Sequence, residues 1–351
     1  MGARWLRSTH FQHFSFQHFS FSKMSRLLAL LATLRIANAP SVVSNVWLGY
    51  ITSWYLWFGS WIPLDTEMIR LQSVALLCSS GLLLYFAGNL ANDWYDIDWD
   101  KKRRPERALP SGVFRRRSYL IAACLSALLG ILAASVENRY CGMAAAGIVI
   151  LVAIYTHFHK RAIWAVIPMG LCRAGLYLLG FFAFGTTLFS SIDTGYSWQS
   201  YAGRVLVVLT MAFGLFAFIA GLSLSARYEG MGDAPPGPRF LSKALLYLPM
   251  LAMPCWFSTI APQFGLAGIV PYAVWLALCL TKFSKPIPRY VSALLAGIPL
   301  VDLAAAIPLA LLLAFVPGNG VVNVPLAWGI VAVPSAAFVL GRLLQKVAPA
   351  T

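Results

Sequence analysis

The amino-acid sequence predicts an all-α, polytopic membrane bundle of about nine to ten transmembrane helices, and three observations lead there. Of 351 residues, 59% are hydrophobic, 14% aromatic and 11% charged, whereas a soluble domain is about 25% charged. Apolar runs near the length of a hydrocarbon core recur along the chain. The basic residues concentrate in alternate loops between those runs, as membrane topology requires.

The runs fall at Val42–Trp61, Ile69–Ala91, Ser118–Val136, Gly142–Tyr155, Ile163–Phe189, Val205–Ser223, Leu241–Ile260, Leu266–Thr281, Val291–Phe315 and Val321–Leu343. Proline separates several of them, at Pro40, Pro63, Pro235–Pro236, Pro286, Pro288 and Pro317. With the amino terminus inside, one set of loops carries Arg26, Arg35, the run Lys101–Arg117, Lys160, Arg161, Arg227, Arg239, Lys243, Lys282, Lys285, Arg289, Arg342 and Lys346. The opposite loops carry only Arg70, Arg139 and Arg204. This asymmetry favours ten spans with both ends inside over nine.

A net charge of +15 would suit a nucleic-acid partner if it formed a patch. Here the bases are topology signals and lipid anchors, so the expected partner is the bilayer and no nucleic acid is expected. The six cysteines lie scattered in apolar segments with no CxxC pair, and read as packing residues. Residues 1–40 form a separate basic, acid-free tail with an imperfect repeat, FQHFSFQHFSFS; it reads as an extended start ahead of Met24, or as a targeting segment. Residues 41–345 form the membrane domain.

The chemistry concentrates at one place. Of twelve acids, five lie between Asp93 and Glu106, in GNLANDWYDIDWDKKRRPERALPSG at the cytoplasmic end of the second span. Carboxylates at a span end need a positive partner or a role. Asn92, Asp96 and Asp100 recur every four residues, which lines their oxygens along one helix face. Hard oxygen ligands so arranged suit Mg2+ that keeps waters and bridges to phosphate.

This segment resembles the first motif of the UbiA-type intramembrane prenyltransferases, NDxxDxxxD followed by a basic stretch and RPxPSG. Asn92, Asp93, Asp96 and Asp100 match it, as do Arg107 and Leu109–Gly112, with Ala108 standing where the family has proline. The second motif departs further: in AGLSLSARYEGMGD, Ser225 and Ala226 occupy the leading Asp positions. An offset of 133 residues nevertheless pairs Asp96 with Glu229 and Asp100 with Asp233, so Glu229 and Asp233 are expected to hold a second ion. The resemblance implies a cavity open to the cytoplasmic side, with Asn92, Asp96, Asp100, Glu229 and Asp233 as metal ligands. Arg107, Lys160, Arg161 and Arg227 are the expected diphosphate-binding residues, and Asp93 and Arg173 the expected catalytic ones.

Arg173 lies inside the fifth span and is expected to face the cavity. Asp302, in the ninth, is expected either to pair with a basic residue of the site or act near the substrate, or to serve as a structural hydrogen-bond acceptor. His157 and His159, beside a cytoplasmic loop, read as interfacial residues and not ligands. The implied activity is Mg2+-dependent transfer of a prenyl group from a prenyl diphosphate to a lipophilic or aromatic acceptor within the membrane. The expected setting is a bacterial inner membrane with the site facing the cytoplasm, an organelle membrane being the alternative. The competing readings are a UbiA-like protein without transferase activity, serving in trafficking or scaffolding, and a transporter. The alcohol phosphatidyltransferases, another class with clustered Asp, need a DG and AR arrangement that this chain lacks.

Overall fold

The ten apolar stretches are mostly helical over their described residues, and proline marks the breaks inside Leu241–Ile260. The computed structural model describes residues 26–58, 69–185, 198–227, 236–315 and 324–348. Its helices are α1 Arg26–Thr33, α2 Ala39–Phe58, α3 Leu71–Tyr95, α4 Ile97–Arg103, α5 Arg116–Glu137, α6 Arg139–Phe158, α7 Val166–Phe181 and α8 Trp198–Arg227. They continue with α9 Pro236–Tyr247, α10 Pro249–Ala252, α11 Cys255–Ile260, α12 Pro262–Leu280, α13 Ile287–Ala296, α14 Ile298–Phe315 and α15 Val324–Val347. Among the described residues there is no strand.

Eight of these stretches are long and apolar enough to cross a membrane, and nine if the pair Arg26–Thr33 and Ile36–Trp57, bent by 49°, counts as one. The seventh expected span, Leu241–Ile260, is broken into α9, α10 and α11. The breaks fall at Leu248, before Pro249, and at Met253–Pro254. Proline lacks the amide hydrogen a continuous helix would use there.

The bend in the first span is made at Arg35, whose φ of 48° and ψ of 51° are left-handed. For a non-glycine residue that conformation costs about 1–2 kcal/mol, so its contacts must offset it. They do: the Arg35 carbonyl accepts from Tyr85 Oη at 3.0 Å and its guanidinium reaches Asn89 and Asp93 on α3. Asn138 joins two further helices. Its side-chain oxygen caps α6 by accepting from the amides of Tyr140 and Cys141, and its Nδ2 donates to the carbonyls of Phe182 and Ala183.

Helix α3 packs along α5, α2 against α7, α7 against α8, and α14 between α12 and α15. The outer face of α5 leaves Leu125, Leu128, Leu129 and Leu132 about half exposed; an uncovered leucine row on a spanning helix faces lipid. By contrast α14 is buried nearly throughout, with Ala304, Ala305 and Ala306 fully enclosed. Small residues set the closest helix contact. Gly49 of α2 lies against the Tyr177 backbone, and Gly180 of α7 against the Val46 backbone, which is how membrane helices without a hydrophobic drive between them gain packing.

Candidate functional site

The carboxylates come from the junction of α3 and α4. The helix breaks at Asp96 (φ −85°, ψ 1°), yet Asp96 N bonds Asn92 O and Asp100 N bonds Asp96 O, both at 2.9 Å. The four-residue register therefore survives the break, and Asn92, Asp96 and Asp100 all turn inward. Asp98, on the other face, is exposed. Asp100 is 1% exposed, and buried carboxylates need counter-charges.

Those charges come from three separate elements. Arg107, in the loop after α4, places Nη1 2.9 Å from Asp100 Oδ2 and 3.6 Å from Asp93 Oδ1. Arg35, at the bend, places Nη2 3.3 Å from the same Asp93 oxygen. Lys160, just after α6, reaches Asp96 Oδ1 at 2.8 Å, and its ammonium stands 3.9 Å from the centre of the Trp99 ring. His159 brings Nε2 to 3.0 Å from Asp96 Oδ2 and Nδ1 to 3.0 Å from the Thr156 carbonyl. Burial works to raise the Asp96 carboxyl, but the bonds from His159 and Lys160 outweigh it and hold its pKa below the ordinary carboxylate range.

Among the described residues no three His, Cys, Asp or Glu side chains converge to enclose a metal by themselves. The fit to Mg2+ rests on a different observation: Asn92 Oδ1 is buried and has no hydrogen-bond partner. An amide oxygen left so costs about 1–3 kcal/mol, and here it stands in register with two carboxylates. A hard cation taking one or two carboxylates, an amide oxygen and phosphate oxygens matches that donor set. Thr156 Oγ1 is likewise buried without a partner. Because Gly88 abuts Val152, Thr156 stands one turn further along α6, level with Asn92 one turn further along α3.

The other expected residues are not all brought together. Arg161 is exposed, and its guanidinium makes no hydrogen bond or ion pair among the described residues. Arg227, at the end of α8, donates from Nη1 to the carbonyls of His159 at 2.8 Å and Ala162 at 3.1 Å, so it braces the loop that carries Lys160. Glu229 and Asp233 lie outside the described residues. Ser225, which led the second repeat, bonds the Gly221 carbonyl and Ser242 Oγ and so ties α8 to α9.

Beneath the rim a second polar cluster lies inside the bundle. Arg173 donates from Nη1 to Ser41 Oγ at 3.1 Å and Asn45 Oδ1 at 3.2 Å, with its carbon Cζ 5.3 Å from the centre of the Tyr85 ring. Asn45 Nδ2 donates in turn to Asp302, 2.9 Å from Oδ1, and Ser44 Oγ and Tyr177 Oη also donate to that carboxylate. The hydrogen-bonding reading of Asp302 is the one the geometry matches: three side chains donate to it, and the Asn45 amide stands between it and Arg173.

Sequence reasoning missed Arg35 and His159. His159 is a correction, since its proximity to a loop suggested an interfacial residue, whereas the start of that loop folds back over Asp96. The face Tyr85, Asn89, Asp93 carried a legible signal, polar groups every fourth residue in an apolar span, but their common partner Arg35 comes from another helix.

A helical membrane bundle whose rim gathers buried carboxylates under basic side chains defines the class: an intramembrane protein with a charged polar cluster at one end of its helices. The family model described as the UbiA prenyltransferase family matches residues 45–350, and the chain belongs to that family. Over 106 residues it is 35% identical to a protoheme IX farnesyltransferase of Synechococcus sp. (strain JA-2-3B'a(2-13)), covering 29% of this chain and 31% of that one. Over 118 residues it is 29% identical to a digeranylgeranylglyceryl phosphate synthase of Methanococcoides burtonii, covering 33% and 42% respectively. The matches thus span less than half of those relatives' own length. A solved structure from work on digeranylgeranylglyceryl phosphate synthase shares the fold, with a TM-score of 0.50 at 18% identity, over 92% of this chain and 100% of that one.

Proposed function

We propose that this membrane protein transfers a prenyl group from a prenyl diphosphate to a lipophilic acceptor inside the bilayer, in a Mg2+-dependent reaction. The observation that carries the reading is the unpartnered, buried Asn92 Oδ1 in register with Asp96 and Asp100. Asn92, Asp96 and Asp100 would hold the first ion; Glu229 and Asp233 are proposed for a second. What Mg2+ supplies when bound is positive charge against the diphosphate oxygens as negative charge develops there.

The chain's own residues do the rest. Lys160 and Arg107 already stand over the carboxylates at 2.8 and 2.9 Å. From there they donate to the diphosphate as its bond to the allylic carbon breaks and the electron pair leaves with oxygen. Asp93, held by Arg35 and Arg107, keeps both guanidinium groups oriented. Arg227 fixes the loop that presents Lys160. The apolar bundle keeps water from the allylic carbon until the acceptor attacks it and gives up its proton. The basic run Lys101–Arg117 and the Lys160 loop share this rim, which supports a cytoplasmic orientation of the site.

The test is binding of labelled geranylgeranyl diphosphate to the detergent-purified protein, with Mg2+ or with EDTA, beside Asp96→Ala. Mg2+-dependent binding lost in the variant supports the reading. Binding indifferent to both would leave the cluster as a buried ion-pair network that only braces the rim.

A further inference from the structure

The end of the bundle away from the carboxylate rim carries a charged pair that the proposed chemistry does not use. Arg70 stands just before α3 and Glu137 closes α5, and Arg70 Nη2 donates to Glu137 Oε1 at 2.5 Å. The two side chains sit very differently, for that of Arg70 is 57% exposed and that of Glu137 only 6%. Among the described residues nothing donates to Glu137 Oε2. A carboxylate withdrawn that far from water, with one oxygen bonded, is costly unless a further donor joins it. Helix α3 is 25 residues long, so this pair lies roughly 37 Å from the carboxylates at the other end.

A cleft of about 520 Å³ lies against the pair, and its polar lining is Arg70, Gln72, Ser73 and Glu137. No side chain caps the start of α3, so the amides of Leu71, Gln72 and Ser73 have no acceptor within the helix. One wall thus offers a guanidinium and helix amides, which suit a phosphate. The other offers a carboxylate oxygen, which suits an ammonium. A purely anionic ligand would meet Glu137 and a purely cationic one Arg70, so the complementary ligand carries both charges. The rest of the lining shows what the charges are attached to. Leu71 and Val136 also border the cleft and are 74% and 76% exposed. From Val136 the exposed Leu132, Leu129 and Leu125 continue along one face of α5, a track facing hydrocarbon. We propose that this cleft binds the headgroup of an aminophospholipid, its phosphate on Arg70 and the free amides of α3, its primary ammonium on Glu137, and an acyl chain along α5.

The test uses the delipidated full chain in detergent and native mass spectrometry with phosphatidylethanolamine, phosphatidylcholine and phosphatidylglycerol of identical acyl chains. Phosphatidylcholine keeps the phosphate and the positive charge but has no N–H to donate, and phosphatidylglycerol has no cation. Phosphatidylethanolamine should bind about tenfold or more tighter than either, about 1.4 kcal/mol. Glu137→Gln should bring it down to the level of phosphatidylcholine, whereas Lys160→Gln at the opposite rim should leave the preference intact. If Glu137→Gln fails to fold, Val136→Trp fills the mouth of the cleft from a lipid-exposed position without touching the ion pair, and the preference should disappear there too. Equal binding of the three lipids overturns the proposal, as does a preference that survives both Glu137→Gln and Val136→Trp or is lost in Lys160→Gln. Tighter binding of phosphatidylglycerol would make the cleft a general anionic-lipid contact instead. Displacement of the lipid by an equal concentration of free phosphoethanolamine would likewise refute a lipid site, since the acyl chain would then add nothing.

Discussion

Replacing Gly180 with alanine tests the helix contact on which the deeper polar cluster depends. The added methyl would sit 2.2 Å from the Val46 carbonyl oxygen and 2.6 Å from the Tyr50 amide nitrogen. Both are backbone atoms that no rotamer change can move, so α7 must part from α2 by more than about 1 Å to reach ordinary contact near 3.5 Å. Overpacking of this kind costs about 1–3 kcal/mol. The shift also loads bonds that cross the same interface: Ser53 Oγ to the Phe181 carbonyl, at 2.7 Å, and Arg173 to Ser41 and Asn45. Each bond lost adds about 0.5–1.5 kcal/mol, which brings the expected destabilisation to roughly 2–5 kcal/mol. Gly147→Ala on α6 is the matched control, since its methyl would meet nothing within 4 Å and alanine is the better helix former by up to about 1 kcal/mol. Thermal unfolding in detergent should therefore move in opposite directions for two chemically identical substitutions. A Gly180→Ala protein as stable as Gly147→Ala would refute the close-approach argument.

Asp302→Ala leaves Ser44, Asn45 and Tyr177 without their common acceptor; a loss of about 3–5 kcal/mol in thermal or denaturant unfolding is expected, and a loss under about 1 kcal/mol would show that the donors find other partners. Asp96 has its pKa lowered by His159 and Lys160 against the opposing effect of burial. Its contribution to stability is thus complete above the unfolded value of about 3.9 and is lost as pH falls through the lower folded value. Wild-type and Asp96→Asn melting curves should differ at neutral pH and converge in acid, and a difference that grows on acidification would contradict the sign. Arg227→Met removes two donors from the 159–162 loop. Mg2+-dependent diphosphate binding should weaken by about tenfold or more, at about 1.5–3 kcal/mol per charged bond, and unchanged affinity would show that the loop holds its place alone.

The sequence by itself determined the class of solvent, most of the helices and the gathering of carboxylates at one span end. Runs of about 20 apolar residues have few structures open to them in a bilayer, because every backbone polar group must be satisfied within the chain. The spacing Asn92, Asp96, Asp100 held through a helix break because local i to i−4 bonds span it, and local geometry is what a sequence pattern encodes. What only the tertiary structure decided were the partners across helices. Arg35 looked like one more topology signal, yet a left-handed turn aims it at Asp93. His159 passed for an interfacial residue until α6 was seen to run beside α3 with Val152 against Gly88. Arg161 and Arg227 stood together with Lys160 as diphosphate donors, but one faces outward and the other braces a loop. Arg173 and Asp302, 129 positions apart in the chain, meet through Asn45 on a third helix. Such pairings depend on the packing of small residues such as Gly49 and Gly180, which sets the distance and rotation between helices, and no periodicity within one helix reports that.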